Sequence, residues 1–487
     1  MENRKNGFES GIGFVLSAAG SAVGLGNLWG FPYKTANNGG AAFVLLYIAC
    51  VILIGAVTMI CEFHIGRRAG ANPVTAYKQI NESLGWFGLI GIPVSVLVTS
   101  YYSVLGGYTV KYTLNSFSGN EGILPSFSTN FVEVVLFSAV FAAVALVVVT
   151  GGVKGGIERM SKTLMPILFL IILGIAIYSL CLGEGVREGL DFYLNPDFST
   201  VSFSSVLAAM GQAFFSLSLG MGTMIAYGSY TGKEISIVKS TAIICVFDTL
   251  VALLSGLAVF PAVAHFNPAL LDNSEGVGLI FGILPEVFAS MGEIGRVVSF
   301  LFFAMVAIAA LTSVVSLIEV STQFIIQALH FKRRTASLGV IFLAFSISVP
   351  VGVSLGQVGI MKGEGLSIFG MDLLRFIDEV TNTLLIPLCA LFACIAVGYL
   401  IGPRRAIREI EDGGARLGIL KRIFPTMVRF VTPALILTVG IGGIINKLTL
   451  GEWFVVLGAV LIILSVAAVY FLFLKNKDTG TNADEKI

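Results

Sequence analysis

The chain has 487 residues, of which 56% are hydrophobic and 12% charged, and its mean hydropathy is +0.92. This composition excludes an ordinary water-soluble enzyme, because soluble domains carry about 25% charged residues, and it indicates a polytopic membrane protein. The net charge of +1 provides no electropositive field that would attract nucleic acid, so we expect no nucleic-acid partner.

Twelve segments are apolar over about 20 residues or more, the length that a helix needs to cross a bilayer. They lie near residues 11–36, 41–68, 87–115, 131–150, 162–182, 204–230, 238–265, 293–328, 336–356, 372–401, 427–446 and 452–474. Most Lys and Arg residues fall in the loops on one side of this arrangement. Because cytoplasmic loops carry such an excess, we expect both termini in the cytoplasm.

The polar stretches predict how these segments are connected. Pro166 is expected to open the fifth helix. We interpret the remaining stretches as a cytoplasmic lead (1–10), an external loop (183–203), an external loop able to hold a short lid helix (266–292), a basic cytoplasmic loop (402–426) and a disordered tail (475–487).

The first apolar segment contains an unusual stretch, AAGSAVGLGNLWGFP, at residues 18–32. It carries Gly20, Gly24 and Gly26, followed by Asn27, and each interior Gly costs a helix about 1 kcal/mol relative to Ala. One interpretation is a broken helix whose freed backbone groups hold an ion and a small solute, because lipid cannot satisfy such groups. The other is close helix packing through small residues.

The sixth segment has a similar interruption, SLSLGMGT, at residues 216–223. Gly220 and Gly222 repeat the pattern of Gly24 and Gly26. Paired Gly-interrupted helices at corresponding positions of two halves are typical of transporters built from inverted repeats. This second break favours the binding-site interpretation.

Asp248 lies in the middle of the seventh segment. A carboxylate in the membrane is costly and usually functional, although a protonated Asp that only packs remains the alternative. The six cysteines and three histidines show no metal-ligand or nucleophile–base spacing. The sequence therefore predicts no enzyme.

Several motifs occur together in a specific order. They are AAGSAVGLGN followed by W-x-F-P-Y, then NNGGAAF, QAFFSLSLGMG, DTLVALLSGLAVFP and ALTSVVSLIEV. Over nearly the whole chain, this series resembles the neurotransmitter:sodium symporter family, especially its bacterial amino-acid members of the LeuT type. The resemblance implies a bacterial cytoplasmic membrane and an all-α membrane protein of twelve transmembrane helices. It implies a 5+5 inverted repeat (11–182 and 204–401) with helices 1 and 6 broken, and two C-terminal helices (427–474).

The resemblance also implies two sodium sites, since a hard cation prefers oxygen ligands. The first would use Ala22, Asn27, Ser216 and Asp248. The second would use Gly20, Val23, Ala309, Thr312 and Ser313. For the last two, a hydroxyl bonded to its own helix is the ordinary alternative.

A neutral L-amino acid is the solute that the resemblance implies. Amides of Leu25 and Gly26, with the Tyr102 hydroxyl, would hold its carboxylate; oxygens of Ala22, Phe215, Ser216 and Ser218 would hold its ammonium group. The side-chain pocket would consist of Val98, Tyr102, Phe215, Met221, Ser313 and Leu317, with Ser21 nearby. Its apolar character favours hydrophobic or aromatic side chains. Gly24 stands where amine-transporting relatives have Asp, which argues against amines.

Chloride binds in some relatives near positions matching Tyr47, Gln212, Ser216 and the residue one turn beyond Asp248. Chloride-independent relatives carry a carboxylate at that last position, but here it is Ala252. Asp248 itself could supply the charge, so we expect chloride-independent transport.

The gates depart from the family pattern. Tyr102 and Phe215 match the aromatic pair that closes over the solute, and Asp378 matches the outer acid. Relatives commonly pair this acid with an Arg, but the matching position here is Gly30, so Lys34 is a candidate substitute. On the inside, the gating positions are Lys5, Tyr230 and Gln327, the last replacing an Asp.

We therefore expect a symporter that imports the amino acid together with two sodium ions by alternating access. The alternatives are a non-transporting amino-acid sensor of the same fold, a sodium channel and a membrane enzyme. The sequence leaves the oligomeric state open.

Overall fold

The computed structural model describes residues 7–119, 123–266, 279–356, 367–412 and 418–474. These residues are almost entirely helical, apart from one antiparallel pair of strands, β1 (Ser367–Ile368) and β2 (Met371–Asp372). The first half holds α1 (Gly11–Ala22), α2 (Gly26–Asn37), α3 (Ala41–Ala69), α4 (Pro73–Lys78), α5 (Gly85–Asn115), α6 (Ile123–Ser128), α7 (Phe131–Thr150), α8 (Val153–Leu180) and α9 (Val186–Leu194). The second half holds α10 (Phe203–Ser216), α11 (Thr223–Ser229), α12 (Ile237–Phe266), α13 (Leu284–Ser290), α14 (Glu293–Leu329), α15 (Arg333–Gly356), α16 (Leu373–Ile401), α17 (Pro403–Glu411), α18 (Leu420–Thr449) and α19 (Trp453–Leu474).

Ten helices of the described residues are long and apolar enough to cross a membrane. α1 and α2 together form one further span, bent by 48°. The sixth predicted segment consists of two shorter helices, α10 and α11, separated by residues 217–222. The all-α architecture is confirmed, and the count of twelve spans stays a prediction.

The prediction that Pro166 opens the fifth helix is wrong. α8 begins at Val153 and places Pro166 in its interior. Proline removes a single backbone donor, whereas the turns before it are held by tertiary contacts. Buried Glu158 accepts hydrogen bonds from the Glu9 amide (2.7 Å) and the Ser10 hydroxyl (3.1 Å) at the start of α1. Tertiary packing therefore outweighs the local helix-breaking signal.

Short helices occur in several segments that were predicted as loops. α9 lies in 183–203 and α17 in 402–426. The described part of 266–292 contains α13, as expected for a lid helix. Residues 1–6, 267–278 and 475–487 lie outside the described residues.

Helices α5 and α14 form the centre of the bundle. In their most apolar stretches, 83% and 72% of the residues are buried, against 22% in α19. α19 instead exposes side chains such as Leu461 and Leu464, which is how a helix at the edge of a membrane bundle meets lipid. The polar residues that would be costly in lipid therefore concentrate around α5 and α14.

The two ends of the bundle differ in charge. Arg67 and Arg68 end α3, Arg333 begins α15, and α17 carries Arg404 and Arg405. We call this end the basic face, and the end that holds the C-termini of α2, α8 and α18 the opposite face. Arg68 and Arg405 both pair with Glu409 (2.9 Å each), which attaches α17 to α3.

Close packing joins α11 to α3. A Cβ atom at Gly228 would lie 2.6 Å from the Phe63 carbonyl oxygen, so no side chain fits there. Gly174 of α8, in contrast, is exposed and has no atom within 4 Å of such a Cβ.

We predict that Gly228→Ala lowers the melting temperature of the purified protein by several degrees, since overpacking costs about 1–3 kcal/mol. Gly174→Ala is the matched control and should leave it unchanged or slightly raised, because Ala is the better helix former. Equal melting curves for the two variants would show that α3 and α11 do not pack this closely.

Candidate ion and solute site

The break in the first span separates α1 from α2. α1 ends at Ala22, and Val23 leaves the helix with φ −70° and ψ 101°. Asn27 begins the next helix, and its side-chain oxygen accepts a hydrogen bond from the Gly24 amide (3.2 Å). The Asn27 side chain thus replaces a helical backbone partner at the break.

The break in the sixth segment covers residues 217–222. Ser218, Gly220 and Gly222 all have positive φ, at 51°, 71° and 77°. Glycine adopts this conformation readily, and a Cβ at Gly220 would overlap the Ile386 carbonyl. Ser218 has no such freedom, but its hydroxyl donates to the Ser21 carbonyl oxygen (2.7 Å) and ties the two breaks together.

Polar side chains bond backbone groups at the two breaks. Gln212 donates to the Gly26 carbonyl (2.7 Å), and Ser255 donates to the Asn27 carbonyl (2.7 Å). The carboxylate of Glu62, which is 1% exposed, accepts from the Gly220 amide (2.7 Å). Protein therefore covers the breaks where lipid could not.

Our sequence reasoning missed the roles of Glu62 and Ser255. Glu62 lies within a predicted membrane segment, so the argument that singled out Asp248 could have found it. Nothing in the local sequence distinguishes Ser255 from other helical serines, since only the fold places it against Asn27.

Asp248 of α12 lies between the two breaks and is fully buried. Its carboxylate accepts hydrogen bonds from the Ser216 hydroxyl (2.6 Å), the Tyr47 hydroxyl (3.0 Å) and the side-chain NH2 group of Asn27 (2.8 Å). Three residues of the predicted first sodium site, Asn27, Ser216 and Asp248, are thus brought together. The fourth, Ala22, is the last residue of α1.

The predicted second sodium site lies where α1 approaches α14. A Cβ atom at Gly20 would lie 3.4 Å from the Thr312 Cβ, so the two helices are in close contact. Thr312 donates to the carbonyls of Ile308 (3.2 Å) and Ala309 (3.0 Å) of its own helix. This is the alternative in which the hydroxyl bonds to its own helix. A hydroxyl that donates nevertheless keeps its lone pairs available for a cation.

The other residues predicted for this second site lie at the same contact. Ser313 donates across to the Ser21 carbonyl (3.1 Å). Val23 follows α1 directly, and its ψ of 101° turns its carbonyl away from the helix. The contacts from Gly20 to Thr312 and from Ser21 to Ser313 therefore join the two helices that carry the predicted ligands.

The predicted solute residues also converge on the breaks. The ring centroids of Tyr102 and Phe215 lie 6.1 Å apart, and a Cβ at Gly24 would lie 3.4 Å from the Tyr102 hydroxyl. A Cβ at Gly26 would lie 2.8 Å from the Phe215 ring, so a glycine is needed there. The remaining predicted pocket residues are all buried: Leu25, Val98, Ser218, Met221, Ser313 and Leu317.

On the opposite face, Asp378 of α16 accepts a hydrogen bond from Tyr101 (3.1 Å), the neighbour of Tyr102. Among the described residues, no ion pair within 4 Å joins Asp378 to the candidate substitute, Lys34, so the gating role of Lys34 stays a prediction.

On the basic face, Tyr230 and Gln327 have different partners. Tyr230 donates to fully buried Glu319 (2.7 Å), and Glu319 forms an ion pair with Arg333. Gln327 instead accepts from the amide and side chain of Asn72 (2.7 Å each). The predicted gating residue Lys5 lies outside the described residues. Glu319 was missed, although an acid in an apolar segment is a recognisable signal.

Comparisons with known proteins agree on one family. A family model described as the sodium:neurotransmitter symporter family matches residues 5–125 and 128–477. A sodium-dependent transporter of Bacillus subtilis, YhdH, is 36% identical over 88% of this chain and 96% of its own. A sodium-dependent transporter of Haemophilus influenzae is 32% identical over 90% of this chain and 98% of its own. The crystal structure of MhsT in complex with L-phenylalanine superposes with a TM-score of 0.82 at 33% identity, covering 90% of this chain and 99% of that one.

We predict that Glu62→Ala destabilises the purified protein while Glu62→Gln is tolerated. Alanine leaves the buried Gly220 amide without an acceptor, which costs about 1–3 kcal/mol, whereas the glutamine side chain keeps an oxygen there. Thermal melting of both variants measures the difference. Wild-type stability of Glu62→Ala would show that this bond does not hold the break.

Proposed function

Because the chain belongs to the sodium:neurotransmitter symporter family, we propose that it imports a neutral L-amino acid with a hydrophobic or aromatic side chain, together with sodium. The chain is a sodium-coupled membrane transporter, as its relatives are, and not an enzyme. One observation supports the proposed solute and ion most strongly. Asn27, which follows the first helix break, and Ser216, which precedes the second, bond to each other and to Asp248.

The cluster around Asp248 is our proposed first sodium site. Sodium prefers hard oxygen ligands, which Ser216 and Asp248 offer as hydroxyl and carboxylate oxygens. The Asn27 side chain directs its NH2 group to these two residues and its oxygen to the Gly24 amide, so we propose that it rotates to bind the ion through that oxygen. The carbonyl of Ala22 joins them from the end of α1. A second ion is proposed between α1 and α14, at Gly20, Val23, Ala309, Thr312 and Ser313.

The solute is proposed to lie beside the first ion. The first turn of α2 presents the amides of Leu25 and Gly26, and such helix N-termini favour carboxylates. The Tyr102 hydroxyl, which lies close to Gly24, would complete the carboxylate site. Because the ion and the carboxylate attract one another, each increases the affinity for the other by the same factor.

Three observations support a neutral amino acid with an apolar side chain. A Cβ at Gly24 would lie 2.5 Å from the Ser313 hydroxyl, so the Asp that amine-transporting relatives carry would displace that hydroxyl. The structural neighbour MhsT was crystallised with L-phenylalanine. The pocket residues Val98, Met221 and Leu317 are apolar, and Met adapts to varied shapes.

The contacts of Asp248 support our proposal that transport is independent of chloride. Two hydroxyls that would hold a chloride ion, those of Tyr47 and Ser216, both donate to the Asp248 carboxylate. A covalently attached anion therefore occupies their donors. We propose that this carboxylate supplies the negative charge that chloride supplies in other relatives.

Alternating access requires a closure on each side of the site. We propose that the basic face is cytoplasmic, as its Arg residues favour, and that the bonds of Tyr230 with Glu319 and of Gln327 with Asn72 close it. Lys5 would add to this inner gate. On the outer side, the Tyr102–Phe215 pair would close over the solute, and Lys34 would approach Asp378 to complete the closure.

We predict sodium-driven uptake of radiolabelled L-phenylalanine into proteoliposomes when sodium is higher outside than inside. Uptake should fall to the level of empty liposomes when potassium replaces sodium, because the solute carboxylate then loses its ion. Excess unlabelled leucine or tyrosine should compete, and excess glutamate or lysine should not. Sodium-dependent binding without uptake would favour the sensor instead, and single-channel currents would favour the channel.

We predict that replacing chloride with gluconate leaves wild-type uptake unchanged. Asp248→Asn should reduce uptake in gluconate by about tenfold, the effect of losing about 1.4 kcal/mol of charge compensation. Chloride should restore part of the uptake of this variant. Loss of wild-type uptake in gluconate would refute chloride independence.

A further inference from the structure

A buried carboxylate joins α8 to the start of α1 on the basic face. Glu158 lies in the second turn of α8 and is 1% exposed. It accepts hydrogen bonds from the Glu9 amide (2.7 Å) and the Ser10 hydroxyl (3.1 Å), directly before α1. Lys162, one turn further along α8, lies 2.6 Å from the same carboxylate and compensates its charge. A residue of α8 therefore holds the first turn of α1.

The start of α1 is suited to a negative charge. The first amides of a helix have no partner within it, so its N-terminus attracts anions. The Ser10 hydroxyl oxygen accepts from the Gly13 amide (3.0 Å), and the same hydroxyl donates to Glu158. A chain of hydrogen bonds thus runs from the first turn of α1 to the carboxylate. Bonds to a charged acceptor are about twice as strong as neutral ones.

The Glu158 carboxylate also occupies the space of a side chain at position 13. A Cβ at Gly13 would overlap this carboxylate. An alanine there would push the carboxylate away from α1, although alanine is the better helix former. Gly13 is therefore needed for the contact with α8 and not for the helix itself.

α8 contacts α1 again at the proposed second sodium site. A Cβ at Gly20 would lie 3.1 Å from the Met165 sulfur of α8 and 3.4 Å from the Thr312 Cβ of α14. Gly20 and Thr312 are two of the proposed ligands, so α8 lies directly against the site. α1 is one continuous helix from Gly11 to Ala22. If its start leaves α8, the helix therefore carries Gly20 away from Met165.

We propose that Glu158 is a positioning residue for the second sodium site: by holding the start of α1 against α8, it keeps this site covered on the basic face. The inference rests on the proposed function, in which the second ion lies between α1 and α14 and the basic face is cytoplasmic. Release of the Glu158 contact uncovers the site toward the cytoplasm. Sodium, by bridging α1 and α14, favours the covered state.

The test measures how accessible α1 is, using Ser17→Cys in a Cys181→Ser background. Ser17 lies on α1 between Ser10 and Gly20, is 1% exposed, and has no hydrogen-bond partner for its hydroxyl among the described residues. Cys181 is exposed, and the other five native cysteines are buried. Purified protein in sodium buffer is labelled with a polar maleimide, and the protein without Ser17→Cys gives the blank.

Glu158→Ala should raise the labelling rate about tenfold, which corresponds to about 1.4 kcal/mol in the closing equilibrium. Lys154→Gln is the matched control. Lys154 joins the same two segments through Glu9 (3.0 Å), but both side chains are 57% exposed, and exposed ion pairs contribute little. This variant should label at the rate of the background protein.

Gly13→Ala tests the same contact from α1. It should also raise the labelling rate, because the new methyl group displaces the carboxylate. In Gly13→Ala/Glu158→Ala this carboxylate is absent, so the double variant should label no faster than Glu158→Ala. Such non-additivity is expected only of residues that act through one contact.

Sodium separates positioning from a loss of fold. Higher sodium should slow the labelling of Glu158→Ala again, whereas potassium at equal ionic strength should not, because sodium binding favours the covered state. A faster rate that sodium does not reverse would overturn the inference, since Glu158 would then serve folding alone. An unchanged rate in Glu158→Ala, or additive effects in the double variant, would also overturn it.

The proposed function is tested separately by the background protein. Equal labelling rates of Ser17→Cys in sodium and in potassium would refute the second sodium site. The comparison of Glu158→Ala with Lys154→Gln is made within one buffer, so it does not depend on that result.

Discussion

A peptide group that faces lipid has no water to bond, so every interruption of a membrane helix must be covered by other parts of the protein. This constraint explains the buried polar side chains around the two breaks. Glu62 accepts from the Gly220 amide in the second break, and Gln212 and Ser255 donate to the carbonyls of Gly26 and Asn27 in the first turn of α2. Ser218 joins the breaks directly through the Ser21 carbonyl. The breaks are therefore built features of the fold, and they place backbone oxygens and amides in the middle of the bundle.

The buried carboxylate of Asp248 depends on the same arrangement. Removing a charge from water costs several kcal/mol unless donors surround it, and Tyr47, Ser216 and Asn27 supply three. These donors come from α3, α10 and α2, so the carboxylate also holds three elements together. A cation that binds here would meet a negative charge already in place, which is why one group can serve both sodium binding and chloride independence in our proposal.

Much of this site could be predicted from the sequence because glycine and buried charge are strong local signals. The repeated Gly-x-Gly pattern located both breaks, and Asp248 stood out in an apolar segment. Contacts set by the fold could not be predicted in this way. Glu319 bonds Tyr230 and Arg333, while Gln327 turns to Asn72, and no sequence spacing specifies these partners. Pro166 misled us for a related reason, since Glu158 holds the preceding turns through distant residues.

The central claim is that oxygens gathered at two helix breaks bind sodium and the solute together. Equilibrium binding of radiolabelled L-phenylalanine to the purified protein, measured in sodium and in potassium buffers of equal ionic strength, tests it most directly. Our account predicts saturable binding in sodium that weakens by at least about tenfold in potassium, a coupling of about 1.4 kcal/mol or more. Equal affinity in the two buffers would contradict it.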